Sequence, residues 1–244
     1  MTAAADKPER LPAIFREVCS RFPPVLHHFF LEAFRSPGDW FTRRTSFTRS
    51  VAVNSMAGYV IGLGDRHSGN ILLDRTSAEV VHIDFGVAFE QGRFLNTPEL
   101  VPFRLTRDIV DGCGAAGIEG ALRRCCEETM RVLRENASCI LTIVGVVIAD
   151  PLYRWAMTPI KAQRRQQDID DTGDEHGDAD VDDGGDTIGN ADAERAVLRV
   201  KQKLAGVEVS GAPRNVPGQV AMLLADAQDP DKLCRMFPGW APWM

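Results

Sequence analysis

Two short stretches hold the residues best suited to chemistry. The first is Gly64-Asp65-Arg66-His67-Ser68-Gly69-Asn70; the second, after a brief apolar run, is His82-Ile83-Asp84-Phe85-Gly86. Asp65, Asn70 and Asp84 supply the carboxylates and amide that a metal-bound nucleotide and an attacking hydroxyl require. A phosphoryl group in transfer spreads negative charge over its oxygens, and divalent cations neutralise it. Hard cations take oxygen ligands, so Asn70 and Asp84 suit Mg²⁺ or Mn²⁺ with ATP where Cys or His would not. Asp65 can accept the hydroxyl proton or orient the nucleophile. Gly64 and Gly69 are expected to let the loop turn and approach phosphate.

Asp65 and Asn70 are five apart, the spacing of the Asp and Asn in the catalytic loop of protein kinases, and Asp84 opens an Asp-Phe-Gly where a second metal ligand belongs. The order within the loop differs, however: protein kinases read His-Arg-Asp and this chain reads Asp-Arg-His. That inversion resembles the phosphatidylinositol 3-kinase superfamily, which holds both lipid kinases and large related protein kinases. The resemblance implies that Asp65 is the catalytic base and that His67 acts with it near the γ-phosphate. It also implies that Asn70, Ile83 and Asp84 contact the nucleotide and that Asn70 and Asp84 hold the metal. His67 has a second reading, a polar residue that only braces the turn. Alternation along a strand would put Val81, Ile83 and Phe85 on one face and His82 with Asp84 on the other, so His82 either braces Asp84 or is a structural histidine. Arg66 reads as a brace of its loop before it reads as a substrate contact. For Arg104 and Arg107, solvated charge and pairing with acids of the following loop or the surface are both open.

The elements that must position these residues follow from periodicity. Leu11 to Phe34 has helical apolar spacing interrupted by Pro23-Pro24. Asp39 to Ile61 predicts a long helix whose small, apolar later part is buried, and Gly62-Leu63-Gly64 stops it at the catalytic loop. Asn70 to Asp74 and Glu79 to Ile83, around Arg75-Thr76-Ser77, predict a hairpin that holds Asn70 and Asp84 at neighbouring strand ends. Gly86 to Thr106 is loop-like. Further helices are expected over Ile118 to Arg134, Ser138 to Ala149, Pro151 to Gln163, Ala191 to Leu204 and Val216 to Ala227, with Pro217 in the first turn of the last. The chain ends in an aromatic tail, Phe237 to Met244, too apolar to float free. Trp240 and Trp243 are expected to pack on the lobe or, alternatively, to meet a membrane or partner.

A chain of 244 residues, 44% hydrophobic, can bury a real core. Its net charge of −6 is local in origin: Asp168 to Glu194 holds ten Asp and two Glu with no Lys or Arg. The remainder carries 28 basic against 22 acidic residues, which suits a nucleotide or an acidic partner. The acidic, Gly-rich stretch from Asp168 to Asn190 is expected to be disordered. Six cysteines without CxxC spacing, and no secretory leader, suggest reduced thiols in an intracellular protein. Ile140 to Ala149 is too short to span a bilayer, which takes about 20 residues, and predicts a buried helix.

The resemblance extends over nearly the whole chain. Asp39-Trp40-Phe41 through Arg49-Ser50-Val51, Gly58-Tyr59, the two motifs above and Pro102-Phe103-Arg104-Leu105-Thr106 resemble a phosphatidylinositol 3-kinase-related protein kinase. Arg107 to Gly112, Arg123 to Glu127 and Leu233 to Trp240 narrow the likeness to the ATM/Tel-type branch. The fold class implied is α/β, mostly helical here, a kinase large lobe with a short β-hairpin around the catalytic and metal-binding loops and a helical FATC tail. The implied organisation is a large lobe over 1–165 with the small lobe absent, an acidic regulatory insert over 166–192, a regulatory helix and linker over 193–211, and FATC over 212–244. No Gly-rich or Lys-bearing strand precedes Asp65, so this segment alone is expected to have negligible kinase activity.

The resemblance further implies a nuclear serine/threonine kinase that acts before Gln on protein substrates in DNA-damage checkpoint signalling and telomere maintenance. It implies partnership with double-strand-break sensor complexes, homodimerisation through parts outside this chain, and no membrane. One observation bears on substrate independently. Between Phe85 and Phe103 the only basic residue is Arg93, beside Glu90 and Glu99, which disfavours the alternative of a phosphoinositide kinase. An inactive regulatory fragment is the other alternative.

Overall fold

The computed structural model describes residues 10–149, 185–208 and 211–244. Pro23-Pro24 splits the first apolar stretch as expected, giving α1 (Leu11–Arg21) and α2 (Leu26–Ala33). Ser36 then caps α3 (Pro37–Ile61): its hydroxyl accepts the Asp39 N–H at 3.3 Å, and Pro37 fills the first turn. The helix ends where Gly62 takes the left-handed conformation, φ +66°. A Cβ there would lie 2.6 Å from the Glu90 nitrogen, so both dihedral and space demand glycine.

The hairpin forms with shorter strands than expected. β1 (Ile71–Leu73) pairs antiparallel with β2 (Val80–His82) in the register Ile71 with His82, Leu72 with Val81 and Leu73 with Val80. Asp74 closes the turn, its carboxylate accepting the Thr76 and Ser77 N–H groups, both at 2.7 Å. Two side chains of α3 stitch the hairpin in place: Ser50 Oγ accepts the Val80 N–H at 2.9 Å and Asn54 Nδ2 donates to the Val80 carbonyl at 3.0 Å. The described residues are thus mostly helical with one small two-stranded sheet.

After the loop come α4 (Arg107–Gly112), which periodicity did not reveal, α5 (Ala121–Glu135) and α6 (Ala137–Ala149). Then follow α7 (Gly185–Leu204), α8 (Val216–Ala227) and α9 (Pro230–Leu233). The helix expected over Pro151 to Gln163 lies outside the described residues, as does most of the acidic stretch. Its last residues, 185–190, are helical, so α7 begins before the Ala191 that the sequence suggested. Asn215 caps α8 by accepting the Gly218 N–H at 2.9 Å.

The main core joins α3 (Phe47, Val51, Met56), α5 (Leu122, Cys126, Met130), α7 (Val200, Leu204) and α8 (Leu223, Leu224). Each such side chain, fully buried, contributes about 1.5–3 kcal/mol. A smaller cluster packs Leu233, Met236 and Trp240 of the tail against Phe15 and Val101. The aromatic tail is therefore packed on the lobe. The α6 expectation needs correction: Val144 and Ile148 are buried, but Ile143, Val146 and Val147 are exposed, because among the described residues only one face of that helix meets a neighbour. Among the described residues no helix is long and apolar enough to cross a membrane, and all six cysteines are free thiols. Burial pushes the Cys113 thiol up to about 11 and Cys126 up to about 12, so neither is poised to react.

Candidate functional site

The chain that leaves α3 and the chain that follows Asp84 run side by side. Phe89 N–H donates to the Ile61 carbonyl, Glu90 N–H to Gly62 and Gly64 N–H to Val87, at 2.9, 2.9 and 2.8 Å. Asp65 and Asp84 sit at this junction, and both are non-glycine residues in the left-handed region, φ +56° and +57°. That conformation costs about 1–3 kcal/mol and persists only where neighbours enforce it.

The enforcement is visible. Arg66 is buried, and its guanidinium donates to three carbonyls: Gly64 at 2.8 Å, Ile83 at 2.7 Å and Asp84. One rigid fork thus clamps the loop of Asp65 to the strand end that bears Asp84, the bracing role expected from sequence. Burial lowers the proton affinity of Arg66, and the charges of Asp65, Asp84 and Glu99 raise it again. Asn70 is buried; its Nδ2 donates to the Asp65 carbonyl at 2.9 Å and faces Asp65 Oδ2 at 3.4 Å. The Asn70 carbonyl accepts the Ile83 N–H at 3.1 Å, which sets Asp84 one residue beyond. Asp84 Oδ1 in turn accepts the Gly86 N–H at 3.2 Å.

His67 Nδ1 accepts the Gly69 N–H at 3.0 Å. The neutral ring therefore carries its proton on Nε2, which lies 3.9 Å from Asp65 Oδ1. Gly69 and Gly64 have reasons other than a turn near phosphate. A Cβ on Gly69 would stand 2.9 Å from the His67 ring, and one on Gly64 would stand 2.7 Å from the Glu99 carboxylate. The Ile83 side chain is exposed, as are those of Leu72, Val81 and Phe85. His82 is half-buried and held down to about 4 by burial, with the nearby Arg66 charge adding to it. No hydrogen bond joins it to Asp84 among the described residues, because the left-handed turn at Asp84 breaks the strand alternation on which that expectation rested.

Among the described residues no three His, Cys, Asp or Glu side chains gather as a metal centre. What the junction offers a cation is the Asn70 amide and the Asp84 carboxylate, beside Asp65. With Asn70 Nδ2 committed to Asp65, its Oδ1 remains as a ligand atom, and the Asp84 carboxylate is exposed. Two oxygen donors fit a hard cation that keeps its waters and takes phosphate oxygens for the rest, as Mg²⁺ does.

Three residues carry more than their sequence suggested. Glu99 Oε1 accepts the Asp65 N–H at 2.9 Å. Arg104 is buried and donates to the Trp240 and Ala241 carbonyls, with its guanidinium 4.5 Å from the Trp240 ring centre; burial brings it down to about 10. Arg107 donates to the Cys19, Phe22 and Trp243 carbonyls. Neither arginine is a solvated charge; both hold backbone of the tail. The signal in sequence was Arg104 itself, flanked on both sides by apolar residues. At the other edge, Lys203 of α7 donates to the Tyr59 carbonyl and pairs with Glu90, both at 2.7 Å, so α7 grips the start of the loop that follows Asp84.

Known proteins resemble this chain in sequence and fold. Residues 2–157 match the family described as phosphatidylinositol 3- and 4-kinase, and residues 213–244 match the FATC domain. A serine/threonine-protein kinase ATM of Arabidopsis thaliana is 54% identical over 244 residues, covering 100% of this chain and 6% of that protein. A serine-protein kinase ATM of Sus scrofa is 49% identical over 239 residues, 95% of this chain and 8% of that protein. The solved structure titled complete CtTel1 dimer with C2 symmetry superposes with a TM-score of 0.81 at 42% identity, covering 98% of this chain and 8% of that one. The chain thus spans under a tenth of the length of these relatives.

Proposed function

Because the chain belongs to the phosphatidylinositol 3- and 4-kinase family and carries a FATC domain, we propose that it is the C-terminal catalytic segment of a protein serine/threonine kinase. It transfers the γ-phosphate of ATP, with Mg²⁺ or Mn²⁺, to protein Ser or Thr that precedes Gln. The observation that carries this reading is the clamped junction of Asp65, Asn70 and Asp84, with one arginine binding the two loops. Relatives named ATM protein kinases, alike over almost the whole segment, support the substrate class.

Each residue has a role in that chemistry. Asp65 orients the substrate hydroxyl and accepts its proton. His67 presents Nε2–H on the same side, as a donor to charge developing on the transferred group. Asn70 Oδ1 and the Asp84 carboxylate would hold the metal, which when bound neutralises the phosphate oxygens. Ile83 offers the nucleotide an apolar contact. The wider assignment rests on the resemblance to ATM/Tel-type kinases: a nuclear enzyme of DNA-damage signalling and telomere maintenance, recruited by double-strand-break sensor complexes. A homodimer is supported by the solved Tel1 relative titled as one.

The test exchanges this segment for its counterpart in the Arabidopsis thaliana relative and assays a Ser-Gln peptide against phosphoinositide vesicles. Metal-dependent phosphorylation of the peptide is expected. Phosphorylation of the lipid but not the peptide would make the chain a phosphoinositide kinase, and no transfer to either would make it a regulatory fragment.

A further inference from the structure

The left-handed backbone of Asp65 needs something to hold it; Asn70 Nδ2 holds its carbonyl, and Arg66 grips the carbonyls of Gly64, Ile83 and Asp84 rather than Asp65 itself. The Asp65 N–H has one side-chain partner, Glu99 Oε1 at 2.9 Å, from a residue 34 positions later. The rest of the Glu99 environment is built around that contact. Its Oε2 lies beside Gly64 and Gly92; a Cβ on Gly64 would come within 2.7 Å of it, and one on Gly92 closer still. Neither glycine has a left-handed backbone, so the space for this carboxylate is what each provides. Glu99 N–H donates to the Gly92 carbonyl at 3.0 Å, which fixes the main chain from which the side chain reaches.

We propose that Glu99 is a positioning residue that sets Asp65 in its proton-accepting posture by accepting the Asp65 N–H. It does not touch the reacting atoms; it acts through Asp65, and so rests on the role given to Asp65 above. Reach matters more than charge for such a contact. Glu99→Gln keeps the length and an oxygen acceptor. Glu99→Asp keeps the charge but falls one methylene short. An electrostatic or merely structural role would rank the two the other way or not at all.

The test has two arms. In the Arabidopsis thaliana relative carrying this segment, Glu99→Asp is expected to lower kcat about 100-fold, as for misplacement of a reacting group by about 1 Å. KM for ATP should stay within about threefold, because binding is not what is lost. Glu99→Gln should retain kcat to within about tenfold. A Glu99→Gln variant as slow as Glu99→Asp, or a Glu99→Asp variant with unchanged kcat, would overturn the proposal. The second arm is amide hydrogen exchange on the 244-residue chain. Glu99→Asp should speed exchange in residues 63–70 and leave 121–135 unchanged, whereas equal protection of residues 63–70 in both proteins would overturn it. Inactivity of the unmutated exchange protein would count against the kinase reading alone, and the exchange arm would still decide whether Glu99 holds Asp65.

Discussion

At the scale of single residues, the site is assembled by buried groups that speak to backbone. Arg66 and Glu99 between them satisfy carbonyls and an N–H that flank two left-handed aspartates. His82, beside them, gives a pH signature. Its folded value of about 4 lies below its ordinary value near 6.5, chiefly through burial. Between those values the unfolded chain holds the proton and the folded chain does not, so the His82 contribution lowers stability as pH drops through that window and is constant above it. Urea denaturation at pH 7 and pH 5 should show the loss, and His82→Gln should reduce it. Equal losses in the two proteins would contradict the assignment. Glu99, held above its ordinary value by burial, acts with the opposite sign and cancels in that comparison. The motif residues Asp65, Asn70 and Asp84 were legible because their types and spacing are chemical. Glu99 was not, since a glutamate in a loop looks solvated until the fold buries it.

At the scale of elements, the ends of helices decide where the loops lie. Gly62 stops α3 and lets Glu90 approach. Gly62→Ala is expected to destabilise by about 1–3 kcal/mol from the left-handed dihedral alone, read as a lower urea midpoint; an unchanged midpoint would show that the cap is dispensable. Arg104 does the same service for the tail. Arg104→Leu removes the donor to two carbonyls and should cost about 3 kcal/mol. Arg104→Lys should not restore it, because a point charge cannot fork. Tryptophan emission shifted to the red, with faster proteolytic release of residues 237–244, is the expected readout, and native emission would contradict it. The long helices and the hairpin were readable from apolar spacing, Pro23-Pro24 and Gly62. Six-residue α4 was not, because so short a helix shows barely more than one period. The half-exposure of α6 was hidden for a related reason: a segment apolar on every face does not say which face is covered.

At the scale of the whole molecule, the large core of α3, α5, α7 and α8 carries the hairpin and both site loops on one frame, while the tail cluster closes the far side of the loop after Asp84. Fold class was legible from the family pattern, and the match of residues 2–157 and 213–244 agrees with it. The long-range ties were not legible: Arg104 to the tail, and Lys203 of α7 to Glu90, join residues more than a hundred positions apart. Such pairs leave no local period to read. The account stands on convergence of Asp65, Asn70 and Asp84 at one metal-bound nucleotide. The most direct measurement is a Mn²⁺ titration of peptide phosphorylation by the Arabidopsis thaliana relative carrying this segment. Asp84→Asn and Asn70→Ala should both raise the metal concentration required, while Asp65→Asn should lower kcat by about 10²–10⁴ with the metal requirement unchanged. An Asp84→Asn enzyme with wild-type metal dependence and wild-type kcat would contradict it.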